Sequence, residues 1–265
     1  MVLLMEFVDE MTALFYEILK ENRTRILEFL RNPRIIGRNP QGETTRFFDK
    51  AIEKLLIEKL REKGFEGTII GEELGKFEGK GKGWIYIDPL DGSLNAARGV
   101  DFYCLSLAYA DRPKIEDIRV GFVWDIPRDV IYFAEKNQGA FRLEKEKVVR
   151  LLTPPETDDI VLDVGFTINE ECLREIRNKG TLRRMGSIVL SSIYVAEGRF
   201  DGVFDMGNLK VTDVAAAYII VREARGYVFV DVSEIKENRR VKLIMARNKE
   251  IFDWLIELYN RYIRR

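Results

Sequence analysis

The chain of 265 residues contains no histidine and only two cysteines. Without imidazoles there can be no His-based catalytic triad, no His-ligated zinc or haem and no histidine pH switch. Cys104 stands in an apolar run and Cys172 in a helical pattern, far apart and without metal-ligand spacing. That usage is expected of a reducing compartment. No uncharged stretch reaches the roughly 18 to 20 residues that a membrane span needs. The opening MVLLMEFVDEM is broken by Glu6, Asp9 and Glu10 and lacks the basic start and small-residue cleavage site of a signal peptide, so a cytoplasmic location is expected. Neither sign of charge dominates, since 43 Lys and Arg balance 44 Asp and Glu. Such a surface has no field to gather nucleic acid or anionic membrane, and only a local phosphate site is left open.

What is present is a globular composition, 46% apolar and 33% charged. A chain of this size buries roughly three quarters of its extended surface, as one large domain or two modest lobes. Apolar residues recur at helical spacing from Leu3 to Leu30 and again from Asp49 to Leu60. Gly37 to Thr45 reads as a loop between them. Seven glycines fall between Gly64 and Gly83, a segment costly to order and expected to move. Strands follow at Trp84–Ile87, Phe102–Ala108, Ile118–Trp124 and Val130–Ala134, with Gly139–Leu143 as a hairpin partner. The pattern changes across 145–158. Beyond it come strands at Ile160–Val164, Tyr227–Val232 and Val241–Ala246, with helices at Glu170–Arg177, Ser187–Ala196, Val214–Ala224 and Ile251–Ile263. Residues 1–150 are expected to form an α+β lobe and 151–265 an α/β lobe, sharing one cleft.

The most specific segment is Trp84-Ile85-Tyr86-Ile87-Asp88-Pro89-Leu90-Asp91-Gly92-Ser93-Leu94-Asn95. An apolar strand ends in a carboxylate, Pro89 stiffens the departure, Asp91 follows three positions later and Gly92 permits close backbone approach. Two carboxylates and the Leu90 carbonyl can converge on hard cations there, while the Gly92 and Ser93 amides face an anion. Taken alone, Asp-Pro-x-Asp-Gly is also ordinary strand-to-turn punctuation. Its context adds a second strand-end acidic pair, Glu72-Glu73, with no basic partner nearby in sequence.

With Gly42-Glu43-Thr44-Thr45 and Asp49, Gly71-Glu72-Glu73, Asp88 to Asn95, and Thr212-Asp213-Val214-Ala215-Ala216, the chain resembles the magnesium-dependent inositol monophosphatase superfamily. The resemblance is greatest to its archaeal-type inositol monophosphatase and fructose-1,6-bisphosphatase branch. It implies a layered αβαβα sandwich of the sugar phosphatase type, with the active site between lobes. It also implies two or three Mg²⁺ ions. Glu72, Asp88 and the Leu90 carbonyl match ligands of the first, and Asp88, Asp91 and Asp213 those of the second. Glu72 also matches a ligand of a third, weaker ion. By the same resemblance Ser93 and Asp49 position and deprotonate the attacking water, with Glu72 in the catalytic set, and the Gly92 and Ser93 amides hold phosphate. Serine stands at 93 where many relatives have threonine, and Thr212 where many have tryptophan. Asp213 opens a helix pattern, where free backbone donors favour a carboxylate.

Recognition of the rest of the substrate is expected from Arg183, Arg184, Asp205 and Lys210. Arginine suits an anion, and Asp205 can accept from sugar hydroxyls. The resemblance implies hydrolysis of small sugar or polyol phosphates, fructose-1,6-bisphosphate or myo-inositol-1-phosphate. The alternatives are a 3′(2′),5′-bisphosphate nucleotidase and a catalytically inactive metal-binding regulatory protein. Family members commonly dimerise, and a homodimer is expected, with no nucleic-acid or membrane partner. Abundant Glu, Lys and Arg are compatible with a thermophilic source.

Overall fold

The structure is a computed structural model and describes residues 9–40, 42–152, 159–232 and 240–263. The first described helix, α1 (Glu10–Phe29), starts where the Asp9 carboxylate accepts from the Met11 amide at 2.9 Å, and it buries Phe15, Ile18, Leu19 and Ile26. Residues 3–8 of the expected helix lie outside the described residues. The stretch expected as a loop is instead partly a hairpin: β1 (Ile35–Arg38) pairs antiparallel with β2 (Thr44–Arg46). Its turn is closed by the Asn39 amide donating to the Glu43 carbonyl at 2.9 Å and the Glu43 amide donating to Asn39 Oδ1 at 2.8 Å. Bonds of that kind leave no trace in apolar periodicity. Helix α2 (Phe47–Glu62) follows, with Phe48, Ile52, Leu55, Leu56 and Leu60 inward.

Among the described residues eight strands form the first sheet: β3 (Thr68–Gly71), β4 (Gly75–Phe77), β5 (Trp84–Asp91), β6 (Cys104–Ala110), β7 (Ile118–Asp125), β8 (Val130–Glu135), β9 (Gly139–Glu144) and β10 (Lys147–Leu151). Their order is β10-β9-β8-β7-β6-β5-β3-β4; β3 and β5 run parallel and the other neighbours antiparallel. The glycine-rich segment is thus partly strand, and its glycines allow close crossing. A Cβ on Gly67 would lie 2.4 Å from the carbonyl oxygens of Lys82 and Gly83. Short helix α3 (Ser93–Arg98) leaves the end of β5.

The second sheet holds β11 (Val161–Val164), β12 (Thr181–Arg183), β13 (Gly202–Leu209), β14 (Tyr227–Val230) and β15 (Val241–Ala246), in the order β12-β11-β13-β15-β14. Strand β11 is parallel to β12 and β13, and β15 is antiparallel to both its neighbours. Two of these strands were not anticipated: β12 has only three residues, and the apolar pattern of β13 is broken by Asp205 and Gly207. The other helices are α4 (Glu170–Lys179), α5 (Ile188–Ala196), α6 (Ala215–Glu223) and α7 (Lys249–Tyr262). Strand β10 carries the first sheet to Leu151, and 153–158 of the expected boundary lie outside the described residues.

Five layers result, α1 and α2, the first sheet, α5 and α6, the second sheet, then α4 and α7. Strand β5 displays the alternation that builds them, with Ile85 and Ile87 packed toward α1 and α2 and Tyr86 toward α5 and α6. Helices α5 and α6 are mostly apolar, and every residue from Val189 to Ala196, Ser191 and Ser192 included, and from Ala215 to Val221 is buried, as a layer between two sheets requires. The second sheet's other face packs Leu162, Phe204 and Ile244 against Leu173, Ile176, Leu255 and Leu258. No helix among the described residues is long and apolar enough to cross a membrane.

Helix α6 lies directly on β7 at Gly121, where a Cβ would stand 2.5 Å from the Ala216 carbonyl oxygen and the Ile219 Cγ2. G121A is expected to destabilise the fold by about 1–3 kcal/mol, as overpacking does, measurable by denaturant unfolding with an unchanged slope.

Candidate active site

Two parallel strands set the centre. In the β3–β5 pair Gly71 lies opposite Ile87, and the Glu72 amide continues the ladder by donating to the Ile87 carbonyl at 3.1 Å. Glu72 and Asp88 therefore leave adjacent strands side by side. Strand β5 then shifts register between Asp88 and Asp91, as a bulge does, and the Leu90 amide donates to Asp88 Oδ1 at 3.0 Å. Gly92 has φ +90° and would place a Cβ 2.9 Å from the Phe102 carbonyl oxygen, so a side chain there is both strained and blocked.

Asp213 reaches the same point from the turn before α6. Carboxylate oxygens of Glu72, Asp88 and Asp213 all lie within 4.8 Å of one another. Asp213 does not cap α6 as its place before the helix suggested; that helix is preceded by Val214, with no side-chain cap bond. Its carboxylate turns back instead, accepting from the Lys210 amide at 2.8 Å and from the Thr212 hydroxyl at 3.1 Å. Asp91 stands outside this group of three. Its Oδ2 accepts from the Ser187 hydroxyl at 2.5 Å and the Val189 amide at 2.7 Å, so the start of α5 fixes it.

Burial and mutual repulsion make these carboxylates hard to ionise. Asp88, 1% exposed, is held well above the usual carboxylate range by burial and then by the charges of Glu72, Asp91 and Asp213. Burial pushes Asp213 up to about 8, Glu72 adds to this, and Lys210 opposes it. Asp91 is pushed up to about 7 by burial against the pull of its Ser187 and Val189 bonds. An all-oxygen donor set that repels itself is chemically suited to a hard divalent cation such as Mg²⁺. Glu72, Asp88 and Asp213 are placed to hold one.

Beside the cluster Ser93 Oγ lies 2.7 Å from Asp49 Oδ1 and 2.9 Å from the Leu90 carbonyl oxygen. One hydroxyl proton serves these acceptors in turn. Asp49 stands in the first turn of α2, where its Oδ2 accepts from the Arg46 amide at 3.0 Å. Burial pushes it up to about 7 despite those two bonds.

The expected recognition residues are spread more widely. Arg183 is exposed and donates to the neighbouring Leu182 carbonyl at 3.0 Å. Arg184 is exposed and lies over the Phe166 ring, 5.2 Å from its centroid. Asp205, on β13, accepts from the Gly207 amide at 2.8 Å and packs against Gly165. Lys210 faces the acidic cluster, with its ammonium against Glu72 and Glu43. Asn95 ties α3 to the segment before α5, donating to the Phe102 and Met185 carbonyls at 2.8 Å each.

Sequence reasoning missed Glu53. This fully buried residue of α2 accepts from the Glu73 amide at 2.8 Å and the Leu74 amide at 2.7 Å, which holds the turn that carries Glu72. A Cβ on Gly71 would lie 2.1 Å from that carboxylate, which explains the glycine. The available signal was a glutamate between Ile52 and Leu56, on the apolar face of the helix.

The chain matches the inositol monophosphatase family over residues 8–264. It is 31% identical over 243 residues to a fructose-1,6-bisphosphatase/inositol-1-monophosphatase of Methanothermobacter thermautotrophicus, covering 84% of this chain and 86% of that one. It is 37% identical over 193 residues to the Nus factor SuhB of Pasteurella multocida, covering 68% and 69%. The crystal structure of an inositol monophosphatase-fructose 1,6 bisphosphatase superposes with a TM-score of 0.80 at 27% identity, covering 94% of this chain and all of the other. By fold and site the chain is an enzyme of the phosphatase class. It belongs to the inositol monophosphatase family.

The raised carboxylates make stability depend on pH. Folded values of about 7 to 8 for Asp49, Asp91 and Asp213 exceed the unfolded values near about 4, so the folded state binds more protons between them. With EDTA present, Tm is expected to be highest near the unfolded values and to fall as pH rises through 7 to 8. Added Mg²⁺ is expected to raise Tm more at pH 8 than at pH 6, because protons compete for the same oxygens.

Proposed function

We propose that this chain hydrolyses small sugar or polyol phosphate monoesters with Mg²⁺, most directly fructose-1,6-bisphosphate at its 1-phosphate and myo-inositol-1-phosphate. The single observation that carries the reading is the Ser93–Asp49 hydrogen bond beside the Glu72–Asp88–Asp213 cluster. The dual name of the Methanothermobacter relative supports the choice of substrates.

Bound Mg²⁺ supplies charge neutralisation for the phosphoryl oxygens, the attacking water and the departing alkoxide. Glu72, Asp88, Asp213, Asp91 and the Leu90 carbonyl would hold it. The chain's own groups do the rest. Ser93 Oγ orients the attacking water and Asp49 Oδ1 takes up its proton through that hydroxyl, a task suited to a carboxylate raised to about 7. The Gly92 and Ser93 amides at the turn before α3 bind phosphate oxygens, and Arg183, Arg184, Asp205 and Lys210 bind the rest of the substrate. Attack on phosphorus is direct, with the Asp49 carboxylate drawing the proton of the water through the Ser93 hydroxyl, and among the described residues the hydrogen bonds of that hydroxyl go to Asp49 and the Leu90 carbonyl. Residues 1–150 supply most of the metal site, and 151–265 supply Asp213 and the recognition side.

A second reading, a regulatory protein that binds metal without turnover, draws support from the relatives named Nus factor SuhB. Phosphate release separates the two. Mg²⁺-dependent release is expected from fructose-1,6-bisphosphate and myo-inositol-1-phosphate, with less from a nucleoside 3′,5′-bisphosphate. S93A and D49N are each expected to lower kcat by about 10²–10⁴-fold with Tm retained. Absence of release from every ester would favour the regulatory reading.

A further inference from the structure

Lys210 contributes to the acidic cluster twice. Its backbone amide orients the Asp213 carboxylate at 2.8 Å, and its side chain, only 6% exposed, places the ammonium against both Glu72 and Glu43. The two acceptors differ in setting. Glu72 is the inner one, with a side chain 18% exposed, and belongs to the three-carboxylate cluster. Glu43 is the outer one, 43% exposed, in the hairpin before β2, where it also accepts from Arg240 at 3.0 Å and Asn39 at 3.2 Å. The ammonium thus lies between a metal-type carboxylate and a solvent-facing one. Burial disfavours its charge, but Glu72 and Asp213 outweigh that and hold it above the ordinary lysine range.

We propose that Lys210 is a resident counter-cation of the acidic cluster, sharing Glu72 with the divalent ion and passing to Glu43 when the ion binds. This rests on the metal site of the preceding section but not on any substrate or on turnover. Two consequences follow from electrostatics. The ammonium stabilises the cluster in the absence of metal, and it opposes divalent binding by repulsion at short range. Glu43 lowers that opposition by giving the ammonium another place to go. Lys210 then acts as a positioning residue that sets the Mg²⁺ requirement, in addition to the substrate contact proposed for it above.

Mg²⁺ titration by calorimetry, without substrate, tests this on wild type, K210M, K210R and E43Q. K210M is expected to bind Mg²⁺ at least about tenfold more tightly, because the lost ammonium repels a divalent ion at short range even after it has moved to Glu43, and to melt earlier than wild type in EDTA. K210R keeps the charge and is expected to stay within a few-fold of wild type. E43Q is expected to bind Mg²⁺ several-fold more weakly, because the ammonium loses its outer acceptor. Equal or weaker Mg²⁺ binding by K210M, or tighter binding by E43Q, would overturn the proposal. A K210M that fails to fold leaves E43Q and K210R to decide it. If K210M changes only the KM for a phosphate ester and not Mg²⁺ affinity, Lys210 serves the substrate alone and the proposal fails. Wild type that binds no Mg²⁺ would overturn the metal reading as well.

Discussion

Three carboxylates from segments far apart in sequence bring oxygens within 4.8 Å of each other, and their repulsion is the constraint around which the site is organised. At an effective dielectric of about 20, two unit charges 4 Å apart cost about 4 kcal/mol. Side chains free to rotate would separate. Here the Leu90 amide holds Asp88, the Lys210 amide holds Asp213, and the Ser187 hydroxyl and Val189 amide hold Asp91. The backbone therefore fixes positions that electrostatics alone would not choose. A cation offsets the remaining repulsion, and family membership agrees with that chemistry.

Support for the cluster extends outward through further acids. Glu53 binds two consecutive amides behind Glu72, and the Thr45 hydroxyl donates to Glu73 at 2.5 Å. Burial pushes both Glu53 and Glu73 up to about 8. Glu53 thereby holds the turn after Glu72 and Glu73 ties it to β2. Gly71 and Gly92 are the counterpart: each leaves the room that a neighbouring carboxylate or carbonyl occupies.

Much of this was legible in the sequence, for identifiable reasons. The Asp88–Asn95 segment and Glu72 could be read because strand alternation ends abruptly in acids, and the parallel β3–β5 register then sets them side by side. Asp213 was legible only through resemblance, since nothing local brings it across more than a hundred residues, and the local helix-start argument for it failed. Glu53 looked like one more charged residue in a charged helix because its partners are amides that no side-chain pattern encodes. The β1–β2 hairpin was missed for a related reason, its turn being closed by Asn39 rather than by an apolar pair. Strands β12 and β13 are too short or too broken for periodicity to register.

The middle layer has a mechanical consequence. Tyr86, Ala108 and Val123 from one sheet and Val203, Leu243 and Met245 from the other belong to a single continuous core around α5 and α6. Hinging the halves apart like a jaw would tear that shared packing, and close-packed interiors do not stretch by degrees. The two sheets therefore hold a constant gauge across the layer between them.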